Sequence, residues 1–234
     1  MVTASTLYFT TMNIFVEFVR TFVVAFVTLF PVVNPIGDAP IFLSLTRQYP
    51  AAVQRVLARK IAMYGFVILA VSLLVGTEIL AFLGIKLFVV QIAGGLVVAA
   101  TGWNLLSQKD SGDPQSEPAT MEDALQHAFY PLTLPLTVGP GSISIAITIG
   151  AHLRPRGSSV FSRAYLLELA AALLGMVLLS VTVAICYGGA ERLVRALGKS
   201  GTDIVIRLSA FVLFAIGVQI MWNGLSGGWQ TLNH

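Results

Sequence analysis

Long hydrophobic runs alternate with short polar stretches along this chain. Six runs are long enough to cross a hydrocarbon core of about 30 Å as helices, and they cover residues 15–46, 61–83, 87–106, 124–151, 164–187 and 204–225. The pattern predicts an all-α membrane protein with six transmembrane helices. The basic stretches 47–60 and 188–203 between runs are interpreted as polar connections.

A hydrophilic stretch at residues 108–123 divides the chain near its middle. It is rich in Pro, Gly, Ser and acidic residues, a composition typical of a flexible linker. We therefore predict a first three-span repeat at residues 1–107, the linker, and a second three-span repeat at residues 124–234. Because three is an odd number, the second repeat enters the membrane upside down relative to the first, as in inverted-repeat transporters.

The first and fourth runs are both interrupted by prolines. The prolines keep one spacing in the two runs and stand 100 residues apart, at Pro31, Pro35 and Pro40, then at Pro131, Pro135 and Pro140. Proline removes a backbone donor and clashes with the preceding turn, so a regular helix is expected to break at both places. The freed backbone groups must face protein, water or a ligand at membrane depth. Paired broken helices of this kind are typical of the binding site of a secondary transporter.

The composition places this chain in the bilayer and not among nucleic-acid-binding proteins. Hydrophobic residues make up 56% of the chain and charged residues 11%, whereas soluble domains average about 25% charged residues. The net charge of +3 comes from loops and not from a basic patch with interleaved aromatic residues. Cys186 is the only cysteine, which excludes an internal disulfide.

The distribution of basic residues predicts the orientation in the membrane. Eight lie in the connections between spans one and two, three and four, and five and six, at Arg47, Arg55, Arg59, Lys60, Lys109, Arg192, Arg195 and Lys199. Five lie on the other side, at Arg20, Lys86, Arg154, Arg156 and Arg163. Since cytoplasmic loops carry the excess of Lys and Arg, both termini are predicted to lie outside.

The two interruptions have the chemistry to hold a small zwitterion. The N-terminus of a half-helix favours a carboxylate, and unwound carbonyl groups favour an ammonium group or a small cation. The predicted substrate-binding residues are Asn34, Pro35, Ile36, Gly37, Thr137, Gly139, Pro140, Gly141 and Ser142. The alternative is that the small residues among them only allow close contact between helices.

Three acidic residues within the apolar runs are candidates for ion or proton coupling, because an acid inside a membrane span is a functional hypothesis by default. Asp38 lies in the first interruption, where the alternative role is to cap a helix. Glu78 lies late in the second run and Glu168 early in the fifth. Each of the latter two has the alternative of pairing with a neighbour or facing the membrane interface.

The two interrupted segments resemble the signature segments of the MarC family. The resemblance is carried by Asn34-Pro35-Ile36-Gly37 with Pro40-Ile41-Phe42-Leu43, and by Pro131-Leu132-Thr133-Leu134-Pro135-Leu136 with Gly139-Pro140-Gly141-Ser142-Ile143. Gln91-Ile92-Ala93-Gly94-Gly95 and Val218-Gln219 also resemble the family pattern, so the likeness covers nearly the whole chain. The resemblance implies a bacterial or archaeal protein of the cytoplasmic (inner) membrane, with inverted three-plus-three repeats and a substrate site at the two breaks. It also implies transport of small neutral amino acids such as glycine and alanine.

We therefore expect a secondary active transporter of small neutral amino acids that works by alternating access. The chain has no Walker A sequence, so transport is driven by an Na⁺ or H⁺ gradient or is passive. The alternative is an exporter of amino acids or small amphipathic compounds with a roomier cavity. The expected partners are the zwitterionic substrate and the lipid bilayer, with a homo-oligomer left open.

An enzymatic role is not expected. His127, His152 and His234 do not form a metal-binding spacing. Ser142 with His152 would be a nucleophile and a base, but the sequence marks no residue that orients the base. A membrane-embedded enzyme or scaffold is therefore the less favoured reading, and no cofactor or metal is predicted.

Overall fold

The computed structural model describes residues 4–107, 125, 127–154 and 162–232, and the regular elements in this part of the chain are all helices. In chain order they are α1 (Ala4–Val33), α2 (Pro35–Leu45), α3 (Ala51–Phe82), α4 (Leu87–Ser107), a π-helical segment (Leu132–Thr137), α5 (Pro140–Leu153), α6 (Arg163–Gly188) and α7 (Ala190–Leu232). The predicted linker, residues 108–123, lies outside the described residues.

Five helical stretches of the described chain are long and apolar enough to cross a membrane. They are Ile14–Leu45, Ala51–Phe82, Leu87–Ser107, Arg163–Gly188 and Ala190–Thr231. The prediction of an all-helical membrane protein is thus confirmed, while the count of six spans and the inverted repeats stay predictions. The fourth predicted span contains the π-helical segment and α5, and the 14 residues of α5 reach only about 21 Å as a helix.

Two predicted connections are wrong, because most of their residues are helical. The stretch 47–60 was expected to be a polar connection, but α3 begins at Ala51, directly after Pro50. The stretch 188–203 was also expected to be one, but α7 begins at Ala190 and is interrupted only at Gly198, which has φ 65°. Long charged side chains such as Arg and Lys are good helix formers, so their polarity ends the apolar run without ending the helix.

The last helices of the two halves, α4 and α7, form the most extensive contact in the fold. Gly95 lies against Gly217, and Gly102, two turns further along α4, lies against Ala210. Since residue numbers rise on one helix as they fall on the other, the two helices are antiparallel. A Cβ atom added to Gly217 would stand 2.7 Å from the carbonyl oxygen of Gly95, so backbone touches backbone. Small residues allow this approach in membrane helices.

Helix α6 lies at the centre of the other packing group, between α1, α2 and α3. Its buried residues Ala172, Met176, Leu179 and Val183 recur every three or four positions and form one continuous face. At Gly175 an added Cβ atom would lie 2.8 Å from the carbonyl oxygen of Phe22 in α1. This close packing holds α1 and α2, on either side of the first interrupted segment, against α6.

Candidate functional site

Asn34 interrupts the first hydrophobic run between α1 and α2. Its backbone is left-handed, with φ 48° and ψ 51°, a conformation that asparagine tolerates better than most residues. The backbone N–H of Gly37 donates to the Asn34 Oδ1 atom at 3.2 Å. The Asn34 Nδ2 group donates to Oδ1 of Asp38, also at 3.2 Å. Asn34 therefore caps α2, and Pro35 follows at the first helical position, where a missing N–H does no harm.

Gly37 is required by this cap. A Cβ atom added there would stand 2.6 Å from Oδ1 of Asn34, the same atom that accepts the Gly37 N–H. Asn34 and Asp38 are both buried, with 8% and 6% of their surfaces exposed. The first interruption is therefore a closed, hydrogen-bonded unit in this conformation, with a carboxyl group inside it.

The second interruption is the segment before α5, in which threonine hydroxyl groups bond to carbonyl oxygens. Thr133 donates to the carbonyl of Ala128 at 2.6 Å, and Thr137 donates to the carbonyl of Leu132 at 2.8 Å. Leu134 has an extended backbone, with φ −107° and ψ 125°. In a regular α-helix these two carbonyls would accept from the N–H groups of Leu132 and Leu136. The N–H of Leu136 bonds instead to the carbonyl of Pro131, and the hydroxyl groups satisfy the carbonyls of Ala128 and Leu132 in this irregular segment.

Gly139 is extended, with φ −110° and ψ −179°, and α5 begins at Pro140. Ser142 donates to the carbonyl of Gly139 at 3.0 Å, so its hydroxyl group is used within the segment. Gly141 is buried against Val98 of α4. Gly141 is therefore a point of close contact between α4 and α5. This agrees, at this position, with the alternative that the small residues serve helix packing and not substrate binding.

Tyr187 of α6 joins the two interrupted segments. Its ring stacks on Phe42 of α2, with the ring centroids 4.7 Å apart and the planes at 16°. Its hydroxyl group lies 3.0 Å from the Oγ1 atom of Thr137. Because the single hydroxyl hydrogen of Thr137 goes to Leu132, Tyr187 is the donor in this bond. We call Phe42, Thr137 and Tyr187 the Tyr187 bridge.

The predicted acidic residues outside the first interruption lie in other surroundings. Glu78, near the end of α3, forms an ion pair with Arg154, and Arg154 also donates to the carbonyl of Leu74 at 3.2 Å. Glu168 is half-buried on α6 and has no hydrogen bond or ion pair within the described part of the chain. Among the described residues, no three His, Cys, Asp or Glu side chains form a group that could hold a metal ion.

A cavity of about 820 Å³ opens between α1, α4, α5 and α7, and we call it the main cavity. Three ionisable side chains line it, namely Glu17, Arg20 and His152. Its uncharged polar side chains are Thr21, Thr28, Gln91, Thr148, Gln219 and Asn223. Its aliphatic side chains include Val24, Val27, Ile145, Ile149, Ile216 and Ile220.

The main cavity approaches the first interruption without including it. Its deepest residue on α1 is Pro31, one helical turn before Asn34. From Glu17 to Pro31 the cavity follows α1 for about 21 Å, at 1.5 Å per residue. None of the twelve residues predicted for substrate binding or coupling lines it.

A smaller cleft of about 220 Å³ lies at the opposite end of the helices. Its lining includes Gln54, Arg55, Tyr187 and Arg192, so we call it the basic cleft. Tyr187 thus belongs both to this cleft and to the Tyr187 bridge. The two interrupted segments lie between the main cavity and the basic cleft.

The polar residues of the main cavity were missed as site residues by the sequence reasoning. The available signal was helical spacing, since Thr21, Val24, Thr28 and Pro31 lie three or four positions apart and share one face of α1. Gln91 and Gln219 were identified as parts of segments that resemble the family pattern, and not as site residues. Which faces of four helices meet around one cavity is tertiary information that spacing within one helix does not contain.

Comparison with known proteins gives one consistent result. Residues 19–229 match the family model described as MarC family integral membrane protein. The chain is 31% identical over 212 residues to a UPF0056 membrane protein of Aquifex aeolicus, covering 89% of this chain and 94% of that protein. It is 31% identical over 208 residues to the UPF0056 membrane protein YhcE of Escherichia coli, covering 86% and 90%.

A similar match is the UPF0056 inner membrane protein MarC of Escherichia coli, 31% identical over 205 residues, with 85% of this chain and 91% of that protein covered. No solved structure matches the chain.

Proposed function

Because this chain belongs to the MarC family of integral membrane proteins, we propose that it is a secondary transporter of small neutral amino acids of the glycine and alanine class. It is a multi-pass membrane protein, and we place it in the cytoplasmic (inner) membrane of a bacterium or archaeon. The observation that carries the proposal is the Tyr187 bridge, which ties two interrupted helices together between a deep cavity and a cleft at opposite ends of the molecule. This is the layout that alternating access around a central site requires.

The contacts between helices support six spans in two inverted repeats. If each element of the first half is exchanged for its counterpart in the second, the larger contacts are preserved, whereas the weaker contacts α1–α7, α5–α6 and α6–α7 have no counterpart of similar extent. Helix α3 contacts α5, and its counterpart α6 contacts α2; α4 also contacts α5, and its counterpart α7 contacts α2. In the contacting pairs α3–α6 and α4–α7, the exchange turns each helix into its partner. This is expected of helices that pack against each other across a pseudo-twofold axis.

The ends of the helices support an orientation with both termini outside. Glu78 near the end of α3 pairs with Arg154 just after α5, so these two ends share one side. Tyr49 before α3 lies 3.5 Å from His127 at the start of the fourth run, on the other side. That second side carries the basic cleft and the larger number of basic residues, so we assign it to the cytoplasm.

The proposed substrate is neutral and the proposed coupling ion is Na⁺ or H⁺. Asn34, Gly37, Thr137, Gly139 and Ser142 would face the substrate when the segments around the Tyr187 bridge separate. Asp38 is the favoured coupling residue because it is buried in the first interruption and bonded only to Asn34 among the described side chains. Glu78 is less favoured because it is half-exposed and already paired with Arg154.

A second candidate function is the export of amino acids or small amphipathic compounds. The observation that favours it is the main cavity. Its volume of about 820 Å³ is larger than glycine requires, and its partly aliphatic lining suits an apolar side chain that glycine lacks. A deletion strain that accumulates the solute inside the cell would favour export. A deletion strain that fails to take up the solute would favour import.

The experiment that tests the proposal is uptake of labelled glycine and alanine into proteoliposomes, with Na⁺ and H⁺ gradients imposed separately. Accumulation under one gradient would support active transport and identify the ion. No accumulation under either gradient, with folded and inserted protein, would contradict the proposal.

A matched pair of variants tests the site. Gly139→Val adds bulk at the start of α5 and is expected to abolish uptake while leaving the protein in the membrane. Gly227→Val is the control, because a Cβ atom added at Gly227 of α7 meets only Phe88, at 3.9 Å. Normal uptake by the Gly139→Val variant would rule out the site assignment.

A further inference from the structure

Four uncharged polar side chains from three membrane-length hydrophobic runs meet on one wall of the main cavity. Gln91 comes from α4, Thr148 from α5, and Gln219 and Asn223 from α7. Polar side chains inside membrane spans are costly in lipid and are usually found facing a cavity or a partner. We call these four residues the amide wall.

The amide wall has hydrogen-bonding capacity that the described part of the protein does not use. The Gln91 Nε2 group donates to Oγ1 of Thr148 at 3.3 Å, which leaves the Gln91 carbonyl oxygen free to accept. The Gln219 Nε2 group donates to Oδ1 of Asn223 at 2.9 Å. The Gln219 carbonyl oxygen and the Asn223 amide hydrogens then have no partner among the described residues. The wall thus offers two acceptors and a donor group.

Outside the amide wall the lining is mainly aliphatic, with Thr21 and Thr28 of α1 and three ionisable side chains beside it. Val24 and Val27 of α1 contribute to it, together with isoleucines of α5 and α7. Arg20 is paired with Glu17 at 3.6 Å. The Nδ1 atom of His152 lies 2.7 Å from the carbonyl oxygen of Thr148. Arg20 and Glu17 thus offset each other's charge, and a solute with a net charge finds no Asp, Glu, Lys or Arg side chain in the described lining that stands without an opposite charge.

We propose that the main cavity binds neutral amino acids with an aliphatic side chain, of the leucine and valine class. The glutamine carbonyl oxygens of the amide wall accept from the α-ammonium group, and the Asn223 amide donates to the α-carboxylate. The side chain lies along Val24, Val27 and the neighbouring isoleucines. This assignment rests on the proposed transport function and extends its substrate class beyond glycine and alanine. It places a first binding site in the main cavity, on one side of the interrupted segments.

The test is equilibrium binding of labelled leucine to the full chain in nanodiscs, with competition by unlabelled leucine, glycine, arginine and glutamate. Burial of a leucine side chain is worth about 1.5–3 kcal/mol, so glycine is expected to compete at least tenfold more weakly than leucine. Arginine and glutamate are expected to compete no better than glycine. Equal competition by all four amino acids would overturn the proposal.

Two variants test the amide wall. Gln91→Met and Gln219→Met keep the side-chain length and remove the whole amide group, which is both the free carbonyl acceptor and the donor to Thr148 or Asn223. Each is expected to weaken leucine binding about tenfold, the upper end for one hydrogen bond. Val89→Met and Val218→Met are the matched controls, since these residues are exposed on the same helices outside the cavity. Thermal unfolding without leucine checks that the variants are folded. Equal losses in the variants and their controls would overturn the assignment.

Uptake measured on the same preparations separates this inference from the proposed function. Leucine binding without accumulation of any amino acid in proteoliposomes would refute transport and leave the site in place. Accumulation of glycine without leucine binding would refute the site and leave transport in place.

Discussion

The hydrogen bond from Tyr187 to Thr137 makes a prediction in which the two partners respond unequally. Tyr187 is almost fully buried, with 1% of its surface exposed, and Thr137 has 3% exposed. Tyr187→Phe removes the donor but keeps the ring that stacks on Phe42. Thr137→Val removes the acceptor and strands the Tyr187 hydroxyl group in the protein interior. The second change is therefore expected to be the more destabilising.

The magnitudes follow from what each change leaves behind. In Tyr187→Phe, Thr137 still donates to Leu132, so the loss is one hydrogen bond, about 1 kcal/mol. In Thr137→Val, a buried donor is left unpaired, at about 1–3 kcal/mol, and the carbonyl of Leu132 also loses its bond. We expect a total of about 3 kcal/mol. The double variant has no stranded hydroxyl group, so it is expected to be more stable than Thr137→Val alone by about 1 kcal/mol.

Cys186 provides the assay. It is the only cysteine of the chain, it is half-buried, and it adjoins Tyr187. Heating purified protein in detergent with a fluorogenic maleimide would report unfolding as Cys186 becomes reactive. The expected order of stability is wild type, Tyr187→Phe, the double variant, then Thr137→Val. A double variant less stable than Thr137→Val, or equal losses for the two single variants, would refute the reasoning.

Two further predictions concern backbone geometry. Gly217→Ala should destabilise the protein by about 1–3 kcal/mol through overpacking against Gly95. Gly227→Ala, on the same helix with room for a methyl group, should be neutral or slightly stabilising. The two variants are compared by thermal unfolding, and equal stabilities would contradict the close contact of α4 and α7. Asn34 has φ 48°, so the Asn34→Gly variant should be more stable to unfolding than the Asn34→Ala variant by about 1–2 kcal/mol. This order is the reverse of the usual helix preference. An Ala variant that is more stable than the Gly variant in the same thermal unfolding experiment would contradict the left-handed cap.

The hydrophobic runs were enough to predict an all-helical membrane protein, because the bilayer demands long apolar helices and little else satisfies a chain of this composition. The prolines lie beside Asn34, which has a left-handed backbone, and within the segment before Gly139, which contains the extended residue Leu134. That these two places are paired helix breaks at a binding site stays a prediction. Helix boundaries were predicted less well. The start of α3 at Ala51 lies in a basic stretch, since hydropathy reports where a helix leaves the lipid and not where it ends.

The contents of the site were harder to predict than its surroundings. Tyr187 lies at the end of an apolar run, and nothing in its neighbourhood in the sequence indicates that it reaches both Phe42 and Thr137. The same holds for Gln91 and Gln219, which lie 128 positions apart and line one cavity only because α4 and α7 cross at close range. Contacts of this kind depend on how whole helices pack, which a pattern along one helix does not specify.

The backbone contact between α4 and α7 bears on how selectively the main cavity can treat different solutes. These two helices carry Gln91, Gln219 and Asn223, and at Gly217 no side chain separates them. We therefore expect these two helices to be the stiffest part of the cavity and the spacing between their amide groups to change little. Helix α1 has only slight contact with α7 and supplies part of the aliphatic lining, so its distance from the amide groups is the easier one to change. Such a cavity would select strongly for the α-ammonium and α-carboxylate groups of an amino acid and would accept side chains of different length and branching.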